Sequence, residues 1–282
     1  MQSGNFVLRK GIDFAKKVTG SLGIEIKRAQ KEAPDASAHE ALTPVNTLAL
    51  TISDVLLKMV LGGGKTQDFT FVQIGANDGV SNDPIRRYIV KYGFKGVLIE
   101  PQPDVFKRLK ANYEGMPGIT FENAAIAAQD GKTEMYRFKK DSGVPHWADG
   151  LASFSKETVI RNFQNIKGEV ETIIVPTISF GSLLRKHNIS HLDLLQVDAE
   201  GYDYEILKMI DFNAIKPEII HFEHGFLSPQ QQNECFSYLQ SKGYKVYNNA
   251  DNTVAYREPD EQSHLYHVEE WRAESKRMSE SI

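Results

Sequence analysis

Residues 69–79 read Phe-Thr-Phe-Val-Gln-Ile-Gly-Ala-Asn-Asp-Gly, an apolar run that ends in a turn containing Gly75 and Gly79. A second apolar run, residues 96–99, ends on Glu100. The residues between the two runs are typical of a helix, so the stretch predicts a strand–helix–strand unit. In such a unit the turn glycines let the backbone approach a ligand, and the acid accepts hydrogen bonds from ribose hydroxyls. The stretch therefore predicts a site for a nucleoside cofactor.

The glycine spacing narrows the choice of cofactor. Gly75 and Gly79 are four residues apart, Asn77 lies between them, and the turn lacks a third glycine. A pyrophosphate is bound at the open helix N-terminus that a three-glycine turn provides. A compact adenosine ligand with an amino-acid tail does not need this opening. The turn therefore favours S-adenosylmethionine over NAD.

The composition limits the class of protein. The chain has 282 residues, of which 41% are hydrophobic, and a formal net charge of −4. This suits one α/β domain with extensions and argues against a dedicated nucleic-acid-binding protein. The single Cys235 excludes an internal disulfide framework and a cysteine-based zinc cluster. Since it also indicates a reducing compartment, we expect a cytoplasmic protein.

The chain divides into three zones. Residues 1–45 combine a basic, weakly amphipathic opening with a polar linker and predict a helical extension. Residues 46–257 alternate strand-like and helix-like segments, and residues 258–282 predict a polar tail. The opening, residues 1–30, is expected either to pack on its own domain or a second copy of the chain, or to contact an anionic membrane surface or a partner.

The central zone predicts an α/β fold with a mostly parallel sheet and helices on both faces. Strands are expected at residues 70–74, 96–99, 119–123, 133–138, 170–175, 192–197 and 219–222. Helices are expected at residues 47–61, 83–91, 103–113, 179–187, 202–210 and 229–241. Two further strands, residues 244–247 and 253–256, predict a closing hairpin that places an antiparallel strand at one edge of the sheet.

Polar residues collect where the predicted parallel strands end, which is where open α/β sheets bind ligands. A cap or turn residue would explain any one of them, but five such strand ends together indicate a site. In chain order the strand ends carry Gln73, Gly75, Ala76, Asn77 and Gly79, then Glu100 and Pro101, then Asn123 and Ala124, then Asp198 and Glu200, and finally Glu223 and His224.

Four segments resemble the FkbM family of S-adenosylmethionine-dependent methyltransferases. They are residues 72–79, 99–101, 123–127 and, most specifically, 192–203, which read Leu-Asp-Leu-Leu-Gln-Val-Asp-Ala-Glu-Gly-Tyr-Asp. The resemblance extends over residues 68–257. It implies a class I methyltransferase fold with a Rossmann-like sheet, and O-methylation of a hydroxyl, often on a sugar or polyketide.

The sequence departs from the family pattern at three positions. Gln73 stands where many class I methyltransferases have an acid near the methionine amino group. Gln196 replaces a frequent lysine, and Asp203 replaces a frequent glutamate. These departures leave the expected fold unchanged but bear on how the methionine end of the cofactor is held.

Cofactor-binding roles follow from the chemistry of the strand ends. Glu100 is expected to accept hydrogen bonds from both ribose hydroxyls. Asn123, with Ala124, is expected to meet the adenine edge, and strand termination by a turn residue is the alternative. Ser81 is expected to add a hydroxyl beside the turn. The remaining members of the expected cofactor site are Gln73, Gly75, Ala76, Asn77, Gly79, Pro101 and Asp198.

The expected catalytic residues are Asp198, Glu200, Glu223 and His224. His224 is the expected general base, since histidine has a pKa near neutrality, and a histidine bonded to a backbone carbonyl is the alternative. Asp198 could instead cap the helix at residues 202–210, with Glu200 serving its dipole. Asp198 and Glu223 could also bind a divalent metal such as Mg²⁺, but two oxygen ligands are too few for us to favour it.

The sequence thus predicts a methyltransferase that acts on a hydroxyl of a sugar, glycan or secondary metabolite, with S-adenosylmethionine as cofactor. The alternative is a catalytically inactive module of the same fold that acts as a membrane- or partner-docked scaffold. The polar residues kept at one edge of the sheet favour the enzyme. The sequence does not decide between a monomer and a homo-oligomer.

Overall fold

The computed structural model describes residues 50–61, 66, 68–140, 142–145, 148, 150–162 and 168–257. The expected N-terminal extension, residues 1–45, and the expected tail, residues 258–282, lie outside these residues. None of the helices in the described part has the length and apolar character that crossing a bilayer requires.

The described residues form eleven strands and seven helices. The strands are β1 (Thr70–Ile74), β2 (Lys95–Ile99), β3 (Ile119–Glu122), β4 (Ala125–Ile126), β5 (Gly131–Phe138), β6 (Ala152–Ser153), β7 (Val170–Ile178), β8 (Leu194–Val197), β9 (Ile219–Glu223), β10 (Tyr244–Asn249) and β11 (Asn252–Arg257). The helices are α1 (Ile52–Leu61), α2 (Arg86–Tyr92), α3 (Pro103–Asn112), α4 (Lys156–Asn162), α5 (Phe180–Lys186), α6 (Asp203–Lys208) and α7 (Pro229–Ser241).

Seven strands form a central sheet in the order β10-β11-β9-β8-β1-β2-β3. Strands β3, β2, β1, β8 and β9 are parallel, and β11 is antiparallel to both β9 and β10. The expected hairpin forms one edge of this sheet. Its antiparallel strand, β11, is the second strand from that edge, and β10 is the outermost.

The central sheet is covered by helices on both faces, as expected. All four residues of β8 are buried, which is typical of a parallel strand with both faces covered. Alternate residues of β1 show the two layers. Phe71 belongs to a buried cluster with residues of α1 and α2, whereas Val72 belongs to a cluster with residues of α5, α6 and α7.

A second, four-stranded sheet has the order β4-β7-β5-β6. Its main pairing is antiparallel and aligns all of β5 with residues 170–177 of β7. The sequence predicts both of these strands but not that they form a separate sheet, because β4 and β6 are only two residues long and carry no periodic pattern. This sheet supplies one wall of the site described below.

Candidate active site

Two adjoining cavities open at the carboxyl ends of β1, β2, β8 and β9. The small cavity has a volume of about 610 Å³ and the large cavity about 1480 Å³, counting in each case the part open to solvent. Gly75, Asn77, Asp198 and Glu200 line both. The site is therefore one cleft with two compartments that meet at the ends of β1 and β8.

The turn after β1 requires glycine at its first position. The backbone of Gly75 is left-handed, with φ 75°, and its amide donates to the carbonyl of Ile99 at 3.0 Å. A Cβ at this position would lie 1.8 Å from the carbonyl oxygen of Asp198. Since no side chain fits this gap, Gly75 allows the ends of β1 and β8 to approach and forms the floor between the two compartments.

Glu100 lies in the wall of the small cavity and is only 3% exposed. Its two carboxyl oxygens accept hydrogen bonds from the amides of Asn77, at 3.1 Å, and Gln102, at 2.9 Å. Burial raises the pKa of Glu100 to about 7, although these hydrogen bonds act in the opposite direction. Each oxygen of a carboxylate has a second lone pair, so the held carboxylate can still accept hydrogen bonds from a ligand.

The rest of the small cavity is largely apolar. Its wall combines strand-end residues of the central sheet with residues of the second sheet and the segment after β6. They include Ile99, Pro101, Ala124, Ile126, Met135 and Phe154. This surface can contact a flat, apolar ring while Glu100 binds its polar substituents.

A loop from the second sheet closes against the glycine turn. Gln102 donates through Nε2 to the carbonyl of Gly150 at 2.8 Å and accepts from Arg137 at 3.3 Å. A Cβ at Gly150 would lie 2.4 Å from Nδ2 of Asn77. The loop therefore packs directly on the turn. The sequence does not indicate this role for Gln102, because its partners lie far from it in the chain.

Two of the residues expected to bind the cofactor, Asn123 and Gly79, line neither cavity. The Nδ2 of Asn123 donates to the carbonyls of Glu100, at 2.8 Å, and Pro101, at 3.1 Å, and Asn123 is not among the residues of either cavity wall. Gly79 also lies outside both walls, where an added Cβ would meet the ring of Tyr113 at 2.5 Å. Asn123 and Gly79 therefore contact other residues of the protein behind the cavity walls. Ser81 lines only the large cavity, with Ala76.

The large cavity is lined by four carboxyl groups, those of Asp83, Asp198, Glu200 and Glu223. The side chains of Asp198 and Glu223 are hydrogen-bonded to each other. Removal from water and the neighbouring carboxylates Asp198 and Asp203 raise the pKa of Glu223 to about 8. Asp198 faces the open cleft but is surrounded by protein, and this partial desolvation, with the charge of Asp83, raises its pKa to about 6. The pair therefore shares one proton near neutral pH.

The segment after β8 is held by Asp203 rather than by Asp198. Asp203 is fully buried and accepts from the amides of Gly201, at 3.2 Å, and Ala199, at 3.4 Å. The alternative in which Asp198 caps α6 is therefore wrong, and the side chain of Asp198 remains available to the cleft. The backbone of Glu200 is in the left-handed conformation, with φ 50°. Its side-chain Oε2 is buried without a hydrogen-bond partner. Burial and the nearby carboxylates raise its pKa well above the usual range.

His224 lines neither cavity, and its ring is hydrogen-bonded to the backbone of Ala250, which favours the alternative to its expected role as general base. Its ring is 6% exposed, its Nδ1 lies 2.8 Å from Oγ1 of Thr253, and it packs edge-on against Phe236 of α7. Burial lowers its pKa. The reason is the alternation of side chains along an extended segment, which directs His224 to the face opposite that of Glu223.

His221 is the histidine that lines the large cavity. Its Nδ1 lies 2.6 Å from Oε1 of Gln196, its partner in the parallel register of β8 and β9. Burial lowers the pKa of His221 to about 3, so the ring is neutral. Because the amide oxygen of Gln196 accepts the Nδ1 hydrogen, Nε2 is left as a hydrogen-bond acceptor. His221 lies two residues before Glu223, a spacing that could have indicated a shared face.

Gln73 also lines the large cavity and is 3% exposed. Its Nε2 donates to Asp83 at 3.3 Å, while its Oε1 is buried without a hydrogen-bond partner. Over the described part of the chain, no group of three or more histidine, cysteine, aspartate or glutamate side chains is arranged to hold a metal ion.

The sheet order and the cleft at its strand ends define a class I methyltransferase with a Rossmann-like fold. The profile of the Methyltransferase FkbM domain matches residues 73–246, more than half of the sequence. The chain therefore belongs to the FkbM methyltransferase family.

Several solved structures are similar to this chain. A methyltransferase FkbM from Methylobacillus flagellatus KT is 12% identical, with a TM-score of 0.43, and aligns over 68% of this chain and 44% of its own. A precorrin-6y C5,15-methyltransferase from Geobacter metallireducens GS-15 is 11% identical, with a TM-score of 0.37, over 76% of this chain and 93% of its own. An RNA methyltransferase from Salinibacter ruber, solved with S-adenosyl-L-homocysteine, is 14% identical, with a TM-score of 0.34, over 77% and 98%.

This chain thus spans less than half the length of the Methylobacillus structure. No curated protein sequence matches the chain.

Proposed function

We propose that this chain transfers a methyl group from S-adenosylmethionine to a hydroxyl oxygen of a small polar acceptor, such as a sugar, a glycan or a secondary metabolite. The observation that carries the proposal is the junction of two unlike compartments at Asp198 and Glu200. One compartment suits an adenosine and the other suits a ligand with many polar groups. A methyl donor and an acceptor bound in the two would meet at this junction.

The residues of the small cavity fit the cofactor. Glu100 is a fixed carboxylate with free lone pairs for the ribose hydroxyls, and the apolar wall formed by Ile99, Met135 and Phe154 can contact the adenine. The unpartnered Oε2 of Glu200, at the junction, needs a donor of the kind that the methionine ammonium provides. When bound, S-adenosylmethionine supplies the electrophilic methyl group.

The proton of the acceptor hydroxyl is assigned to the Asp198–Glu223 pair. Transfer to a hydroxyl oxygen requires that this proton leave as the new bond forms. The pair holds one proton and one negative charge near neutral pH, so one carboxylate oxygen can accept the hydroxyl hydrogen. The raised pKa values bring the pair closer to the operating pH than an ordinary carboxylate, which is favourable for a general base.

Calorimetry with S-adenosylhomocysteine tests the cofactor assignment. We expect the wild-type chain to bind it, and Glu100→Ala to bind it roughly 10- to 100-fold more weakly, because charge-assisted hydrogen bonds to the ribose are lost. Glu114→Ala, a change at an exposed site, is the matched control. A wild-type chain that fails to bind S-adenosylhomocysteine, or that binds NAD tightly instead, would refute the proposal.

A further inference from the structure

The large cavity is rich in hydrogen-bond acceptors, and its described wall carries no lysine or arginine. Four carboxyl groups face it. Its other polar groups are amides, a serine and threonine hydroxyl, and the neutral ring of His221. The ring adds one more acceptor, Nε2. A ligand that satisfies this wall must therefore donate hydrogen bonds.

A buried, unpartnered oxygen points to such a ligand independently of the carboxyl groups. The Oε1 of Gln73 has no hydrogen-bond partner although the residue is only 3% exposed. Gln73 lines the large cavity and not the small one. An unsatisfied buried acceptor is costly, so this position favours a ligand that brings a donor.

The cofactor does not remove this excess of acceptors. The amino-acid end of S-adenosylmethionine carries one ammonium and one carboxylate, whose charges cancel. We assign its ammonium to Glu200, which lines both cavities, and not to Gln73, which the sequence places where related methyltransferases have an acid near the methionine amino group. Gln73, Asp83 and Glu223 then still face the acceptor compartment, and none of its described lining residues is a lysine or arginine, although the charge of Arg86 acts on Asp83 from outside the lining.

We infer that the methyl acceptor is a hydroxylated compound with a protonated primary amine, of the kind found in amino sugars and aminocyclitols. This inference rests on the proposed function and names its substrate class. The ammonium lies among Asp83, Gln73 and Glu223, and a neighbouring hydroxyl is directed to the Asp198–Glu223 pair. A phosphorylated acceptor is disfavoured, because phosphate binding normally uses arginine, lysine or backbone amides rather than carboxylates.

The test is labelled-methyl transfer by the full chain to matched acceptors. Glucosamine, galactosamine and an aminocyclitol are each compared with their N-acetylated forms. Glucosamine 6-phosphate is included as a phosphorylated acceptor. We expect kcat/KM for the free amines to exceed that for the N-acetylated partners by at least about tenfold, the effect of one charge-assisted hydrogen bond. Calorimetry on the chain saturated with S-adenosylhomocysteine should give the same order of affinities.

Asp83→Asn tests whether the acidic wall causes this preference. The variant keeps an oxygen that can accept from the amides of Ile85 and Arg86, as Asp83 does at 2.8 and 2.9 Å, but removes the charge. We expect the ratio of amine to N-acetyl affinity to fall toward one. Glu205→Gln, which changes an exposed acid paired with Lys208 on α6, should leave the ratio unchanged.

The results separate this inference from the proposed function. If S-adenosylhomocysteine binds and the neutral or phosphorylated members are methylated as well as the amines, or no amine is bound or methylated, the inference is wrong and cofactor binding stands. An unchanged ratio in Asp83→Asn also contradicts it. Loss of activity with EDTA that Mg²⁺ restores would assign the carboxyl groups to a metal and overturn it. Failure to bind S-adenosylhomocysteine at all would refute the proposed function itself.

Discussion

At the extended end of β9, a shift of one residue decides whether a side chain faces the large cavity and can act on a substrate. Glu223 and His221 face the large cavity, whereas His224 packs against Phe236 on the other side of the sheet. Glu223 is hydrogen-bonded to Asp198, and His224 to Thr253. The chemistry at the end of β9 is therefore that of a carboxyl pair and not that of an imidazole.

Separate substitutions of Glu223 and His224 distinguish a catalytic role from a structural one. We expect Glu223→Gln to lower kcat by about 10²–10⁴ with little change in affinity for S-adenosylhomocysteine, because the proton-accepting pair is lost. His224→Asn should instead lower the free energy of unfolding and leave kcat within a few-fold of wild type. Labelled-methyl transfer and urea denaturation of both variants measure this. A large kcat loss in a folded His224→Asn, with Glu223→Gln fully active, would contradict the assignment.

Gly75 offers a second residue-scale prediction. Its conformation is left-handed, and a Cβ would strike the carbonyl of Asp198. Gly93 is also left-handed, with φ 69°, but a Cβ there meets nothing within 4 Å. We expect Gly93→Ala to cost about 1–2 kcal/mol of stability from conformation alone, and Gly75→Ala to cost clearly more and to abolish cofactor binding. Denaturation curves of the two variants measure the difference, and equal costs would contradict the steric explanation.

At the scale of elements, Arg137 of β5 joins the second sheet to the cofactor site. Its guanidinium pairs with Asp104 of α3 at 2.6 Å and with Glu171 of β7 at 2.8 Å, and also donates to Gln102. Its side chain is 12% exposed. Although burial acts to raise it, the pKa of Asp104 is held at about 2 by the hydrogen bonds from Lys140 and Arg137 and by the charge of Arg137. The second sheet is thereby fixed to the helix that follows Glu100.

Removing this link should affect stability and cofactor binding together. We expect Arg137→Ala to lower the free energy of unfolding by about 2 kcal/mol, because it breaks partly buried ion pairs while Lys140 still pairs with Asp104. Affinity for S-adenosylhomocysteine should also fall, since Gln102 loses a partner. Lys139→Ala removes an exposed ion pair with Glu169 just after the end of β5 and should change stability by less than about 0.5 kcal/mol. Similar losses in the two variants would argue against the link.

The whole molecule should lose stability as the pH rises from 7 to 8.5. The pKa of Glu223 is raised to about 8, so the folded chain keeps a proton that an unfolded glutamate has already released, and stability falls as that proton is lost. The expected slope is at most about 1.4 kcal/mol per pH unit for one proton. Urea denaturation at several pH values measures it. Glu223→Gln should reduce the slope, while Glu100 and Glu200, whose pKa values burial also raises, retain part of it. A rise in stability over this range would contradict the assignment.

Much of the fold could be predicted from the sequence. The same physical reasons explain why some strands and some residue roles could not. Buried parallel strands need continuous apolar runs, so β1 and β8 were visible. The glycine turn and Glu100 could be predicted, because the turn needs residues that tolerate a special backbone conformation and Glu100 places a charge at a strand end. The second sheet was missed because its strands β4 and β6 are too short to show a period. The roles of Asn123 and His224 depend on side-chain direction at strand ends, which composition does not reveal.

The position of β1 in the middle of the central sheet has a consequence for the order of synthesis. β1 pairs with β2, which follows it closely, and with β8, where Thr70 bonds to Asp193, 123 residues later. At about 5–20 residues per second, a ribosome needs roughly 6–25 s to make that intervening chain. During this interval the nascent chain carries the glycine turn and Glu100 beside an open, apolar strand edge, which is prone to wrong pairing. The cofactor compartment therefore cannot exist until synthesis has passed Ile206, the last residue in the chain that lines it.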